Sequence, residues 1–280
     1  MNNSTSPVSI TTTSTDGVVG MLYLFLSVSS AIPYTFVLKV ITTDKNLRAS
    51  PCYQIIFNLG LSDMGQLVGH VASGPFVICQ CVKSADYLNQ FFGAIFNSMW
   101  CVYVMLTCLL AFNRFVHICL PGYVLHTVFS KFSIALLLLF CWLWGVFYMV
   151  FYWSRQAAVV FYPSAYGWGY DLSLPWSRFV MDFEFWNNAA GLGGAGLFYF
   201  LIFVYVKIRK PNSSNSNAAR REKKIAVQAV LIAGYASLLM ISWHNYSWLF
   251  PENKWTYLVI NTACILNTAV NPLIYLTLNS

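Results

Sequence analysis

The stretch that decides the fold runs from Phe91 to Cys119 and reads FFGAIFNSMWCVYVMLTCLLAFNRFVHIC. It is almost wholly apolar until its last residues, where Arg114 follows Asn113. A cation inside hydrocarbon is costly, but at a membrane face it reaches water or a partner. We therefore predict a membrane-crossing helix that ends near Arg114, with the rest of the chain forming a bundle around it.

The side chains of this helix are predicted to share one stripe, because successive spacings of 4, 3, 4, 3 and 4 residues follow a period near 3.6. The stripe consists of Phe96, Trp100, Tyr103, Thr107, Leu110 and Arg114. At about 1.5 Å per residue, Phe96 lies roughly 27 Å from Arg114. One helix would thus join an aromatic pocket near one face of the membrane to a cation at the other.

The composition points to a membrane protein. Of the 280 residues, 58% are hydrophobic and 9% are charged, whereas a soluble domain carries about 25% charged residues. Too few charges are present to cover a water-facing surface. The net charge of +7 is better explained by orientation in a bilayer than by a nucleic-acid partner.

Seven apolar runs are long enough to cross the roughly 30 Å hydrocarbon core. They cover about 17–40, 53–78, 91–119, 131–153, 183–206, 225–246 and 255–278. The predicted fold class is an all-α integral membrane protein, a seven-transmembrane helix bundle. Residues 1–16 are predicted to be a disordered tail, in which Asn2 and Asn3 fit the glycosylation pattern, either by chance or as acceptors.

The basic residues set the orientation. With the N-terminus outside, twelve of the 16 Lys and Arg residues fall on the inner side and four on the outer side. Inner loops of membrane proteins carry an excess of Lys and Arg. We therefore expect an extracellular N-terminus and a cytoplasmic linker at 207–224, as in a multi-pass protein of the plasma membrane.

Two polar features stand out within the spans. Asp63 is taken as the only acid inside a span, and burial requires it to be partnered; the candidate partners are Asn267 and Asn271. It is either a static hydrogen-bonded anchor or a switch or cation site. The second feature is Asn271-Pro272-Leu273-Ile274-Tyr275, in which Pro272 removes a main-chain hydrogen bond and kinks the last helix.

These motifs resemble a known family. Asn58-Leu59-Gly60-Leu61-Ser62-Asp63, Asn113-Arg114-Phe115 and Asn271-Pro272-Leu273-Ile274-Tyr275 look like the three signature sites of rhodopsin-like G-protein-coupled receptors. The segments 50–60, 109–114, 223–229 and 274–279 are similar to nematode serpentine chemoreceptors of the Srt class, with the Srx class as neighbour.

The resemblance implies a role for each matching residue. Arg114, beside Asn113, would face a heterotrimeric G protein when the sixth helix swings outward. Asp63, Asn267, Asn271 and Tyr275 would form the buried polar hub, and Pro272 would belong to the same activation motif. Glu222, just before the sixth span, would hold Arg114 at rest, although it also reads as a solvated charge among basic neighbours.

The chain also departs from the family pattern. Asn89 stands where a cysteine is usual at the top of the third helix, and we expect no disulfide framework, since only Cys79 and Cys81 fall outside. Tyr103 replaces a small hydroxyl residue, which puts a sodium site in doubt. Phe96 stands where amine receptors have Asp, which argues against a biogenic amine. No Lys lies in the seventh span, which excludes a retinal Schiff base.

A ligand pocket is expected in the outer half of the bundle, because aromatic walls with few polar groups suit a small, mostly apolar molecule. Its candidate residues are Phe92, Phe96, Trp100, Trp243, His244 and Tyr257. The alternative for each of them is ordinary packing. The histidines are scattered without metal-ligand spacing, and we expect no cofactor and no catalytic residues.

The sequence therefore predicts a chemosensory receptor that is not an enzyme. Its expected partners are a small-molecule ligand, a heterotrimeric G protein and the lipid bilayer, with sensory cilia as a candidate location. A transporter or channel is the competing class, but it needs several charges or repeats within the membrane. A non-signalling relative of such receptors is the third reading.

Overall fold

The computed structural model describes residues 13–208 and 216–278, with side chains described for 13–208, 227 and 230–272. Seven long helices cover most of this part of the chain. In chain order the helices are α1 (Ser14–Thr43), α2 (Lys45–Ala49), α3 (Pro51–Cys79), α4 (Tyr87–Cys119), α5 (Gly122–Val128), α6 (Lys131–Trp153), α7 (Ser177–Ile208), α8 (Ser216–His244), α9 (Tyr246–Leu249) and α10 (Lys254–Leu278).

The predicted seven-helix bundle is confirmed, and its seven spans correspond to α1, α3, α4, α6, α7, α8 and α10. Within the described residues, four of these helices qualify as membrane spans by length and composition alone: α1, α4, α6 and α7. Of the others, α3 carries Asp63, Gln66 and His70, whose side chains are all buried inside the bundle. Polar positions that face a protein interior lower a helix's apolarity without exposing polar groups to lipid.

α4 is the central helix of the bundle. Cys101, Val102, Val104 and Leu106 are completely buried, and α4 packs against α3, α6 and α7. Large apolar side chains such as Phe132 on α6 and Phe203 on α7 lie instead on the outside of the bundle. This distribution suits an outer surface that faces hydrocarbon rather than water.

The first helix begins earlier than the sequence indicated. Thr13 caps α1: its side chain accepts from the main-chain N–H of Asp16, and the Asp16 carboxylate accepts in return from the Thr13 N–H. This reciprocal arrangement satisfies free donors at a helix start. The helix therefore begins three residues before the predicted start of the first span at residue 17, and Asn2 and Asn3 lie outside the described residues.

The connection between α6 and α7 contains a β-hairpin, where the sequence indicated only a polar, aromatic-rich connection. Strands β1 (Val159–Tyr162) and β2 (Gly167–Tyr170) pair antiparallel, with Val159 opposite Tyr170 and Phe161 opposite Trp168. The turn between them is a short 3₁₀ segment that ends at Tyr166, whose φ of 61° is left-handed. The hairpin lies over one end of the bundle, against α4 and α10.

The small-residue patch of α7 allows the close approach that was expected of it. A Cβ added at Gly191 would lie 2.7 Å from the Val104 side chain of α4, and one at Gly194 would lie 3.3 Å from Cys108. Gly193 faces away, since a Cβ there would meet nothing within 4 Å. One face of the patch therefore brings α7 against the central helix.

Candidate functional site

One face of α4 seats the hairpin. Asn89, Gly93 and Asn97 are four residues apart and therefore lie above one another on the helix. Four residues of helix advance about 6 Å, and two residues of strand advance about 6.6 Å. Because these steps are similar, β1 can run alongside α4 and contact it at consecutive turns.

Asn89 holds the hairpin by both halves of its amide. Its Nδ2 donates to the Phe161 carbonyl at 2.9 Å, and its Oδ1 accepts from the Phe161 N–H at 2.7 Å. Nδ2 also donates to the Lys83 carbonyl at 3.1 Å. Asn89 thus acts as a one-residue strand that satisfies the free edge of β1, which would otherwise bury unpaired main-chain groups.

Gly93 lets the two backbones touch. A Cβ at this position would collide with the carbonyl group of Val159 in β1. No flexible side chain could yield there, since the obstructing atoms are main chain. Glycine at this turn of α4 is therefore a requirement of the hairpin seat.

Further contacts tie the hairpin to α1 and α3. The Trp168 Nε1 donates to the Ser73 hydroxyl at 2.9 Å, and the Tyr23 hydroxyl donates to the Tyr166 carbonyl at 2.7 Å. The Tyr166 hydroxyl donates to Asp16 Oδ1 at 2.5 Å. Burial, together with this bond to Asp16, raises the pKa of Tyr166 to about 12.

A cavity of about 140 Å³ lies under the hairpin. Gly167, Trp168, Gly169 and Tyr170 of β2 line it together with residues of the helices α4, α7, α8 and α10. The principal helix residues are Phe96, Met181, Trp243, His244, Tyr257, Ile260, Asn261 and Cys264. Phe96 stacks on Trp168 with ring centres 5.3 Å apart, so the cavity has mainly aromatic walls.

A second cavity of about 30 Å³ shares Phe96, Trp243 and His244 with the first and is also lined by Asn97 and Glu184. Glu184, on α7, is 1% exposed. Its Oε2 accepts from Asn97 Nδ2 at 2.7 Å and from the Tyr170 hydroxyl, and its Oε1 accepts from Asn188 Nδ2 at 3.0 Å. A buried carboxylate thus stands among aromatic side chains.

A second polar centre surrounds Asp63 on α3. Asp63 accepts from Asn271 Nδ2 at 2.7 Å, from Gln66 Nε2 at 3.2 Å and from the Tyr34 hydroxyl. All of these groups are buried, so the carboxylate bonds α1, α3 and α10 to one another. Three donors occupy most of the lone-pair positions of the carboxylate.

Arg114 lies near the opposite end of α4 from the cavities. Its Nη2 donates to the Cys52 thiol on α3. In the part of the chain with described side chains, the recorded ion pair is the exposed Arg178–Asp182, and none involves Arg114. A neutral thiol is a weaker partner than a carboxylate, so Arg114 is only lightly held.

Comparison with known proteins agrees with this architecture. Residues 2–280 match the family described as serpentine type 7TM GPCR chemoreceptor Srt. The chain belongs to the Srt family. The crystal structure of squid rhodopsin shares the fold, with a TM-score of 0.72 and 16% sequence identity over 93% of this chain and 81% of that chain. Comparison with curated proteins returns no match.

In this Srt-family protein, most of the predicted pocket residues meet at the two cavities. Phe96, Trp243, His244 and Tyr257 line the larger one, and Trp100 lines the smaller. Phe92 does not join them: it lines a separate depression between α1 and α3. The reason is height along α4: Phe92 stands one turn above Phe96, where it packs against Phe76 of α3.

The predicted hub is partly visible. Asn271 bonds to Asp63 as expected, whereas Asn267 is buried and makes no recorded hydrogen bond through its Nδ2 to a described residue. Pro272 lies inside α10, and Asn113 is buried beside Arg114. The side chains of Tyr275 and Glu222 lie outside the described residues.

Two expectations are wrong. Asp63 is not the only acid inside a span, because Glu184 is also buried within the bundle; its position in the predicted span 183–206 was the signal that could have revealed it. No disulfide framework was expected, whereas Cys79 and Cys81 form a disulfide with each other at the end of α3. Asn97, Tyr152 and Tyr170, which surround Glu184, carried no sequence motif.

Proposed function

We propose that this protein is a chemosensory G-protein-coupled receptor of the plasma membrane, with sensory cilia as its place of action. A small molecule would bind in the cavity under the hairpin and signal to a heterotrimeric G protein at the opposite face. The observation that carries this proposal is that α4 lines the cavities at Phe96 and Trp100 and presents Arg114 roughly 27 Å away.

The sixth span supports a mechanism in which α8 moves. α8 is one continuous helix of 29 residues, which is about 43 Å at 1.5 Å per residue. Trp243 and His244 line the cavity at its outer end, and its basic inner end lies within the predicted cytoplasmic segment 207–224. A small tilt at the ligand would therefore become a larger displacement at the G-protein face.

The ligand would act only through its different affinities for the two positions of α8. At rest, Arg114 would be held by the Cys52 thiol, with Glu222 as a further partner outside the described side chains. The movement of α8 would release Arg114 toward the G protein. Asp63, Asn267, Asn271 and Tyr275 would form the polar hub that stabilises one of the two packings.

A cue screen followed by one substitution tests this proposal. Small volatile and water-soluble compounds are applied to cells that express the full chain, and second-messenger output is recorded. Arg114→Ala should then reduce the response by about tenfold or more, the worth of one charge-assisted hydrogen bond. Arg48→Ala is the matched control, because Arg48 is an exposed arginine on α2 at the same face.

The two variants must be compared at equal surface expression. An unchanged response in Arg114→Ala would refute the mechanism. A ligand-evoked current that persists in cells without functional G proteins would instead favour the transporter or channel class.

A further inference from the structure

Glu184 is a buried carboxylate without a cationic partner. Among the side chains that the structure describes, no Lys, Arg or His forms an ion pair with it. Its three donors come from Asn97, Asn188 and Tyr170, all of them neutral groups. Burying a charged carboxylate without a counter-ion costs several kcal/mol, so the site is electrostatically incomplete.

The carboxylate also has room for another donor. A carboxylate offers about four lone-pair positions, and Glu184 uses three in the bonds described above. It lines the cavity of about 30 Å³, which is large enough for one small polar group such as a water molecule or an ammonium. That cavity shares Phe96 and Trp243 with the larger one.

We propose that Glu184 is the counter-ion for a small organic cation, whose apolar body occupies the larger cavity while its protonated nitrogen binds the carboxylate. The inference rests on the proposed receptor function and names its ligand class. It reverses the expectation drawn from Phe96, because the acid is supplied by α7 instead of α4. The aromatic side chains Trp100 and Trp243 would add cation–π attraction.

The size of the cavity limits the body of the ligand. An apolar cavity of about 150 Å³ accommodates benzene, and the larger cavity measures about 140 Å³. The ligand is therefore one ring or an aliphatic group of similar volume, with a short arm that carries the nitrogen.

The test uses the purified full chain in lipid nanodiscs and three probes of one shape: benzylammonium, benzyl alcohol and ethylbenzene. Dissociation constants are obtained from ligand-dependent thermal stabilisation. Benzylammonium should bind about tenfold to a hundredfold more tightly than ethylbenzene, the range expected for a hydrogen bond between charged groups in a dry site. Benzyl alcohol should fall between the two.

Two variants assign the preference to Glu184. Glu184→Gln keeps the shape of the side chain and should remove the advantage of benzylammonium while leaving ethylbenzene binding unchanged, which also shows that the variant is folded. Asp182→Asn removes the same charge from the same helix at an exposed position and should leave all three affinities unchanged.

The proposal is overturned if benzylammonium fails to bind to the wild-type protein. It is also overturned if the wild-type protein binds ethylbenzene as tightly as benzylammonium, and neither result requires a variant. It is also overturned if Glu184→Gln keeps the preference for the cation. If the compound that binds in the cavity and evokes an Arg114-dependent response is neutral, the cationic ligand class is refuted while the receptor mechanism stands. A ligand-evoked response that is unchanged in Arg114→Ala would refute the receptor mechanism and leave the cation site untouched.

Discussion

Replacing Asn89 by alanine should release the hairpin from α4. Asn89 is completely buried, and its amide forms two hydrogen bonds to the main chain of Phe161, one with the carbonyl and one with the N–H. Alanine removes the amide without adding bulk. The N–H and the carbonyl of Phe161, which is 1% exposed, would then be left without partners.

The magnitude follows from these two groups. An orphaned buried polar group costs about 1–3 kcal/mol, so two of them cost about 2–6 kcal/mol if the hairpin stays in place. The hairpin can avoid this cost by opening to water. Since 1.4 kcal/mol is a factor of ten, local opening should become at least about 30-fold more frequent.

Amide hydrogen exchange measures this opening directly. In wild-type protein the paired amides of 159–170 should be protected, because both strands are tied to the bundle. Asn89→Ala should accelerate their exchange at least about 30-fold while α6 and α7 keep their protection. The matched control is Gln90→Ala, since Gln90 is the next residue of α4 and bonds to the Ser84 carbonyl instead of the hairpin.

The reasoning would be refuted if exchange over 159–170 were unchanged in a folded Asn89→Ala variant. It would also be refuted if Gln90→Ala accelerated exchange equally, because the effect would then reflect general loosening of α4. A specific acceleration shows that one side-chain amide anchors the cover of the cavity.

Three further predictions concern packing, the polar centre and pH. Gly93→Ala should lower the melting temperature, since overpacking costs about 1–3 kcal/mol and the added carbon meets the Val159 carbonyl; Gly193→Ala, which meets nothing, should be neutral or raise it. Tyr34→Phe should destabilise the protein by about 1 kcal/mol and Asp63→Ala by about 3–5 kcal/mol in denaturation, because the latter removes the acceptor of three buried hydrogen bonds. Because the pKa of Tyr166 is raised to about 12, its contribution to stability should be complete below pH 10 and lost as the pH rises through 12. The stability difference from Tyr166→Phe, followed across that range, should vanish; a constant difference would contradict the assignment.

Some of the polar contacts could be predicted from the sequence and others could not. Asn267 and Asn271 were the candidate partners of Asp63, because a polar residue in an apolar run needs a partner, and Asn271 is the one that bonds to it. Phe96 and Trp100 were placed on one face of α4 by their helical spacing, and Trp243 was placed near the pocket because it lies toward the outer half of its span. The same argument placed Phe92 in the pocket wall, which was wrong, because one helical turn above Phe96 the side chain packs against Phe76 of α3.

The hairpin contacts had no such signal. Asn89 and Phe161 are 72 residues apart, and Asn97 and Glu184 are 87 apart. Neither pair belongs to a repeat, a motif or a common helix. Glu184 gave a partial signal, since it lies inside the predicted span 183–206, but at its second residue, where an acid is also consistent with exposure to water.

The sequence by itself determined the seven helices and predicts their direction across the membrane, since apolar length and the distribution of basic residues are local properties of the chain. Only the tertiary structure decided that β1 lies along α4 at Asn89 and Gly93, and that Glu184 faces a cavity without a counter-ion. These contacts depend on the depth and rotation of neighbouring helices, which are fixed when all of their faces pack together.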